Sequence, residues 1–367
     1  MLFSNIMQDK TAAQAEMLAN RLQKCFRHLI KWAKRKGIGA FRLYDRDIPE
    51  IPLVLDYYGD CGAPDEAILC GALYKRPYEK NADEENEWLS AMKKSAASSL
   101  GVNHENIFLK QRERQKGLSQ YEKISKAGFE KTVQESDLFF KVNLSDYLDT
   151  GLFIDRRMLR AIIREESSGK KVLNLFSYTG SFSVCAAAGG AVSTDSVDLS
   201  NTYLEWACEN FLLNGFTADF LKKSSHSGTE TQRIQKENDK KINTHKLIRD
   251  DVINFLGNTA KEKKQWDIII ADPPAFSNSK KMTDDFDLNR DLISLLFQCV
   301  QLLAPNGKIF TSVNLHRKAP SAEKLEEELR GLSENSRSLR VTDLTKRITD
   351  EDFKGKKIPK AFLITNK

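Results

Sequence analysis

Cysteine is sparse and carries no pattern. The six residues, Cys25, Cys61, Cys70, Cys185, Cys208 and Cys299, form neither a CxxC pair nor a Cys/His spacing of the zinc type. That excludes a zinc ribbon or finger, leaves ordinary reduced thiols, and gives no reason to expect a metal. Long apolar runs are missing too, since none approaches the ~18 residues that a membrane-spanning helix needs. The amino terminus lacks the charged-then-apolar pattern of a secretory signal, so a cytoplasmic protein with no membrane partner is expected. Glycine is missing at the place where a dinucleotide needs it. The strand-to-helix turn Ser177-Tyr178-Thr179-Gly180-Ser181 has one glycine where GxGxxG would let a pyrophosphate approach the helix amino terminus. A nicotinamide-dependent oxidoreductase is therefore disfavoured.

What is present is enough for two domains: 367 residues with a hydrophobic content of 40%. The net charge of +6 is unevenly spread, because residues 20–46 hold nine Lys or Arg against a single acid, Asp45. In this region Ala15, Leu18, Leu22, Cys25, Phe26, Leu29 and Ala33 recur at helical spacing, with Arg21, Lys24, Lys31, Lys34 and Arg35 mainly on other faces. An amphipathic helix with a cationic side is predicted. A solvated helix surface explains that side as well as a partner does. A second basic stretch, Lys110, Arg112, Arg114 and Lys116, alternates along a predicted strand edge, which puts the four charges on one face. Two such patches favour a polyanion partner, and RNA contacts of this kind are salt-sensitive.

The organisation changes near residue 150. Residues 1–150 read as the basic helix followed by a small α+β domain with an antiparallel sheet, its strands near 51–60, 67–74, 107–110, 129–135 and 138–142. Residues 151–367 alternate strand and helix regularly, with strands ending at Leu175, Val197, Asp250, Ala271 and Val313. That rhythm predicts an α/β doubly wound parallel sheet with helices on both faces. The almost wholly polar stretch 217–246 reads as an exposed insertion.

Two segments of this second half belong together. Leu173-Asn174-Leu175-Phe176-Ser177-Tyr178-Thr179-Gly180-Ser181 and Asp272-Pro273-Pro274-Ala275-Phe276 each follow a buried strand. Polar residues at the carboxyl ends of such strands face the ligand crevice. Asp198, eighteen residues after Gly180, stands where a carboxylate can accept ribose hydroxyl protons, and Asp250-Asp251 end the next strand, where one can meet an adenine amino group. That order of sites describes S-adenosylmethionine, although an Asp at a strand end is also a common helix cap. The sequence Asp-Pro-Pro-x-aromatic supplies an acceptor, carbonyls stiffened by two rings of fixed φ, and a stacking surface for a flat nitrogen heterocycle.

These stretches resemble the class I, Rossmann-like S-adenosylmethionine-dependent methyltransferases. In particular they are similar to the RlmK half of the bifunctional bacterial rRNA methyltransferases of the RlmKL family. The resemblance spans Asn20 to Lys24, Arg42 to Asp45, Arg112 to Gly117, Asp146 to Phe153, Asn174 to Ser181, Tyr203 to Ala207 and Asp272 to Lys280. It implies methylation of guanine N7 in 23S rRNA, on free rRNA or on a large-subunit assembly intermediate. By matching motif it places the cofactor along Phe176, Ser177, Tyr178, Thr179, Gly180 and Ser181, with ribose on Asp198 and adenine near Asp251. The 151–156 segment, with Asp155 and Arg156, would cover the methionine end. Asp272, Pro273, Pro274 and Phe276 would frame the target base. From the two basic patches, Arg21, Lys24, Lys31, Lys34, Arg35, Arg112, Arg114 and Lys116 are the expected RNA contacts. Two departures stand out. The 217–246 stretch is longer than the family usually has, and the other methyltransferase half is absent, so a stand-alone form is expected.

The chemistry narrows the target. Methyl transfer from a sulfonium is an in-line displacement that needs alignment and no covalent nucleophile. Pyrimidine C5 methylation does need a cysteine near the fourth or fifth strand end. Those places hold Asp272-Pro273-Pro274 and Thr311-Ser312-Val313-Asn314, while Cys299 falls within a predicted core helix. Guanine N7 bears no proton to remove, whereas an exocyclic amine needs an acceptor that Asp272 also supplies. The motif alone leaves both open, along with a catalytically silent RNA-binding or ribosome-assembly protein on the same scaffold.

Overall fold

The computed structural model describes residues 2–74, 81–111, 128–147, 149–223, 229–232, 244–277, 285–315, 319–332 and 338–366. The chain divides into two compact units, one formed by residues 1–150 with 351–356 and the other by 151–350 with 357–367.

The first unit is built on α1 (Leu2–Lys36), whose apolar stripe Leu18, Leu22, Leu29 and Ala33 is buried. Each leucine so buried contributes roughly 1.5–3 kcal/mol relative to exposure. The stripe packs with α2 (Ala82–Leu100) on strands β1 (Ala40–Asp45), β2 (Leu53–Tyr58), β3 (Ile68–Leu73) and β4 (Ile107–Gln111), adjacent in that order. Trp88 of α2 donates its indole N–H to Gln14 of α1 at 2.6 Å, so the buried polar tip of this side chain is satisfied inside the core. Strands β1 to β3 are antiparallel, but β4 runs parallel to β3. The sheet is therefore mixed where an antiparallel one was expected. The helix α2 between β3 and β4 is the crossover that a parallel pair requires. A separate hairpin pairs β5 (Glu130–Glu135) with β6 (Leu138–Asn143).

The second unit is the doubly wound sheet. Its strands are β7 (Lys171–Leu175), β8 (Ser193–Asp198), β9 (Asp219–Lys223), β10 (Thr229–Gln232), β11 (His245–Arg249), β12 (Trp266–Ala271), β15 (Leu303–Val313), β16 (Leu339–Asp343) and β17 (Lys360–Asn366). A two-residue pair, β13 (Phe276–Ser277) and β14 (Phe286–Asp287), stands apart. The order across the sheet is β10, β9, β11, β8, β7, β12, β15, β17, β16. From β7 the chain winds outward through β8 and β11, and from β12 it winds the other way through β15, so the switch point lies between β7 and β12. The register pairs Ala271 with Leu175, and the loops that follow these two strands leave the sheet side by side.

Alternation along the strands fills both faces. Val172, Ile268, Ile270 and Phe310 pack against α3 (Arg157–Glu166) and α4 (Ser181–Ala188). Leu173, Leu175, Ile269 and Ile309 pack against α6 (Val252–Lys261), α7 (Leu288–Gln301) and α8 (Ala322–Arg330), with Cys299 buried among them. The helix α5 (Asn201–Leu213) follows β8. The expected polar insertion at 217–246 belongs to the sheet at its flanks. There β9 pairs parallel with β11, β10 pairs antiparallel with β9, and Phe220 is buried. Two buried apolar residues, Ala218 and Phe220, are too few to establish a period of two in the sequence. Residues 224–228 and 233–243 lie outside the described residues.

Candidate active site

The loop after β7 is unusual before any ligand is considered. Phe176, Tyr178 and Gly180 have φ of 55°, 50° and 74°, alternating left-handed positions that cost a non-glycine residue on the order of 1–2 kcal/mol. Hydrogen bonds and rings hold the strained residues. Tyr178 donates its N–H to the Asp198 carboxylate at 2.8 Å, Ser177 donates to the Val197 carbonyl at 3.0 Å, and Gly180 donates to the Ser177 carbonyl at 2.8 Å. The Tyr178 ring lies 5.1 Å from Phe153 and meets Tyr203 edge-on at 4.4 Å, while Phe176 packs on Phe286 at 5.5 Å. Gly180 has a further constraint, because a Cβ there would come within 2.8 Å of the Ala207 Cβ. The single glycine lets the turn close on α5, and Ser181 then begins α4.

Polar atoms around this loop fit a polar ligand. The Ser177 hydroxyl is buried without a hydrogen-bond partner, which is costly unless something else supplies one. Asp198 ends β8 with one carboxylate oxygen accepting from Tyr178 N–H and the other from Ser200 N–H, both at 2.8 Å. Burial pushes this carboxyl up to about 6, against the opposing pull of the Ser200, Tyr178 and Leu199 N–H groups. An acid raised in this way stabilises the fold at low pH and loses that contribution as the pH rises from 3.8 to about 6. At neutral pH the ionised carboxylate is thus carried at a cost to stability that hydroxyl donors from a ligand would offset. Asp251 is also engaged. Its Oδ1 accepts from the N–H groups of Ile253 and Asn254, both at 3.0 Å, and caps α6. The common alternative for an Asp at a strand end is met here, and only the second oxygen stays outside the cap.

The segment that opens the unit joins the two motifs. Gly151 has φ 94°, and a Cβ on it would stand 2.2 Å from the Trp206 ring. Its carbonyl accepts the Thr179 hydroxyl at 2.6 Å, and Asn210 donates to the Thr179 carbonyl at 2.8 Å, so the segment is tied to the β7 loop. A 3-10 turn at Ile154–Arg156 then leads into α3. From this turn Arg156 reaches Asp272, with Nε to one carboxylate oxygen at 3.0 Å and Nη2 to the other at 3.1 Å. Its Nη1 donates to Asp155 at 2.8 Å. Burial of this 6%-exposed side chain opposes its charge, yet the two carboxylates outweigh burial and hold its pKa above the usual value. The sequence motifs group Arg156 with the cofactor and Asp272 with the base, but the structure makes them partners. No spacing signal links positions 116 residues apart. Beyond Asp272, Pro273 is buried, Pro274 half-buried, and Phe276 is 41% exposed at the start of the β13–β14 pair.

The basic residues divide. Lys24, Lys31, Lys34 and Arg35 are exposed along α1. Arg21 is half-buried, and its Nε donates to Asp47 at 2.7 Å, a hydrogen bond that raises its pKa. Lys110 departs from the expected charged face, being buried with its ammonium on the Tyr147 carbonyl. A long stem lets a lysine at an inward position snorkel to an acceptor, which strand alternation does not foresee. Arg112, Arg114 and Lys116 lie outside the described residues. Among the described residues no cluster of His, Cys, Asp or Glu suits a metal ion, and no helix is long and apolar enough to cross a membrane.

Comparison with known proteins gives this geometry a context. A family model described as S-adenosylmethionine-dependent methyltransferase matches residues 65–234. The chain is 42% identical over 365 residues to ribosomal RNA large subunit methyltransferase K of Neisseria meningitidis, covering 100% of this chain and 91% of that protein. It is 40% identical over 313 residues to ribosomal RNA large subunit methyltransferase K/L of Hahella chejuensis, spanning 85% of this chain but only 39% of that longer protein. Among solved structures, SMU.776, described as a methyltransferase and determined in complex with SAH, superposes with a TM-score of 0.68 at 22% identity, covering 96% of this chain and 81% of that one. That last likeness is one of fold. With the near-complete coverage of the Neisseria relative and the switch-point loops described above, the chain belongs to the S-adenosylmethionine-dependent methyltransferase family that includes ribosomal RNA large subunit methyltransferase K.

Proposed function

We propose that this chain transfers a methyl group from S-adenosylmethionine to ring N7 of a guanine in large-subunit (23S) ribosomal RNA. One observation carries the reading. The Asp272-Pro273-Pro274-Ala275-Phe276 loop and the Ser177–Ser181 loop leave strands in register at Ala271 and Leu175, one on each side of the switch point. A flat base and a nucleoside cofactor would meet in that crevice. Similarity to the Neisseria large-subunit enzyme supports RNA as the substrate class, and N7 rests on the family resemblance.

In this reading the cofactor lies along Phe176 to Ser181, with the Ser177 hydroxyl and the Asp198 carboxylate as its polar contacts and the second oxygen of Asp251 toward adenine. The cofactor supplies an electrophilic methyl on a sulfonium. The protein supplies alignment: the left-handed turn fixes one partner, and Asp272 with the exposed ring of Phe276 fixes the other. A cationic charge develops on the purine as N7 is alkylated, and a nearby carboxylate stabilises it. The two prolines keep that carboxylate's backbone rigid.

The exposed lysines and arginine of α1 form the phosphate-binding face of this proposal. Charge reversal at Lys31, Lys34 and Arg35 together will weaken binding to rRNA fragments and flatten the dependence of log K on log salt by roughly 0.7–0.9 for each phosphate no longer neutralised. An unchanged slope in a filter-binding series would remove α1 from the interface. The direct test of function is incubation of the purified protein with labelled donor and unmethylated 23S rRNA, followed by nucleoside mass spectrometry and cleavage specific for 7-methylguanine. A methylated exocyclic amine in its place would overturn the N7 assignment and keep the enzyme class. Binding without transfer would point to an assembly protein.

A further inference from the structure

We propose that Arg156 is a positioning residue that acts through Asp272, holding the carboxylate in one plane as a hydrogen-bond acceptor for the target base. The inference rests on the function proposed above and names a residue to which the family resemblance gave a different task, at the methionine end of the cofactor.

The geometry is that of a fork. Nε and Nη2 of one guanidinium each donate to a different oxygen of Asp272, at 3.0 and 3.1 Å. A bidentate pair of this kind fixes orientation as well as distance. The third arm, Nη1 to Asp155 at 2.8 Å, prevents the fork from rotating away. Arg156 itself is anchored between the buried Ile154 and the first turn of α3, and it is 6% exposed. Without it, Asp272, at the end of a strand and beginning an irregular loop, would be free to turn about two side-chain torsions.

The arrangement also bears on the reaction. When a ring nitrogen attacks, its lone pair forms the new N–C bond, the S–C pair leaves with sulfur, and the positive charge passes from sulfur to the ring without release of a proton. An exocyclic amine undergoes the same bond changes and must in addition lose an N–H proton. A proton accepted by either oxygen of Asp272 would neutralise the carboxylate and weaken both of its charge-assisted bonds to the Arg156 guanidinium, whose remaining ionised partner here is Asp155. The pair therefore suits a target that keeps its protons, with Asp272 accepting hydrogen bonds and balancing charge.

Replacement by lysine separates positioning from simple charge balance, because an ammonium keeps the charge but cannot present two parallel donors. The expected result is that R156K melts close to the wild-type temperature and binds S-adenosylmethionine with a Kd within about twofold, while kcat on rRNA falls about 100-fold. R156Q, which loses the charge as well, should fall at least as far in kcat. An R156K enzyme with wild-type kcat and KM would overturn the role of Arg156 while leaving the proposed function intact. A wild-type chain that transfers no methyl group to RNA would instead overturn the function on which this role depends.

Discussion

Asp272→Ala will remove methyl transfer and weaken the fold in the same step. The two losses have different origins. On the proposed function, catalysis loses the acceptor that would orient the base and offset its developing charge, an electrostatic contribution typically worth about 10²–10³ in kcat. Stability falls because the Arg156 guanidinium, buried and forked onto Asp272, is left with Asp155 alone. Breaking one partner of a buried pair costs about 3–5 kcal/mol. Denaturant unfolding of the variant reads the second loss, and a methylation assay at a temperature where the variant remains folded reads the first. Asp272→Asn should fall between the two, since an amide keeps one acceptor and the side-chain volume. Full activity in the alanine variant would remove Asp272 from the reaction.

Gly151→Ala should be nearly as disruptive although it adds a single methyl group. Its Cβ would stand 2.2 Å from the Trp206 ring, in a backbone with φ of 94°. Overpacking and left-handed strain together amount to about 2–4 kcal/mol. The displaced segment carries the carbonyl that accepts from Thr179, so cofactor affinity should fall along with the melting temperature. Gly101→Ala is the matched control. It has φ of 69° with nothing within 4 Å of the added Cβ, and bears the backbone cost alone, about 1–2 kcal/mol. Equal melting shifts for the two variants would show that the Trp206 ring is unimportant.

Much of this is legible in the sequence because the local signals agree. The strands ending at Leu175 and Ala271 carry apolar runs that stop at polar loops, and the alternation of strand and helix between them prescribes a parallel sheet. Where those signals fail, the physical reason is specific. Strand β1 escapes a pattern-based reading because it is buried on both faces and carries Arg42 in its middle, so neither alternation nor an apolar run marks it. That arginine is balanced by Asp45 and Asp56, two acids that only the fold brings together. Strands β9 and β10 are hidden in a polar background at the edge of the sheet, where one side needs no apolar residues. Asp251 reads equally as a cap or as a ligand, and the cap is made. The Arg156–Asp272 pair has no sequence signal, since each residue is already explained by its own motif.

The six residues 351–356 complete the first unit from far along the chain. Asp352 accepts the Arg42 backbone N–H at 2.9 Å, Glu351 meets His28 at 2.9 Å, and the Phe353 ring lies beneath the Arg42 guanidinium at 5.4 Å. During synthesis these partners emerge roughly 200 residues after the rest of that unit, a delay of about 10–40 s at ordinary translation rates. Through that interval Arg42 and His28 wait without these partners. The nascent amino-terminal unit is therefore most exposed to misassociation, and to holdase chaperones, while the second unit is being made.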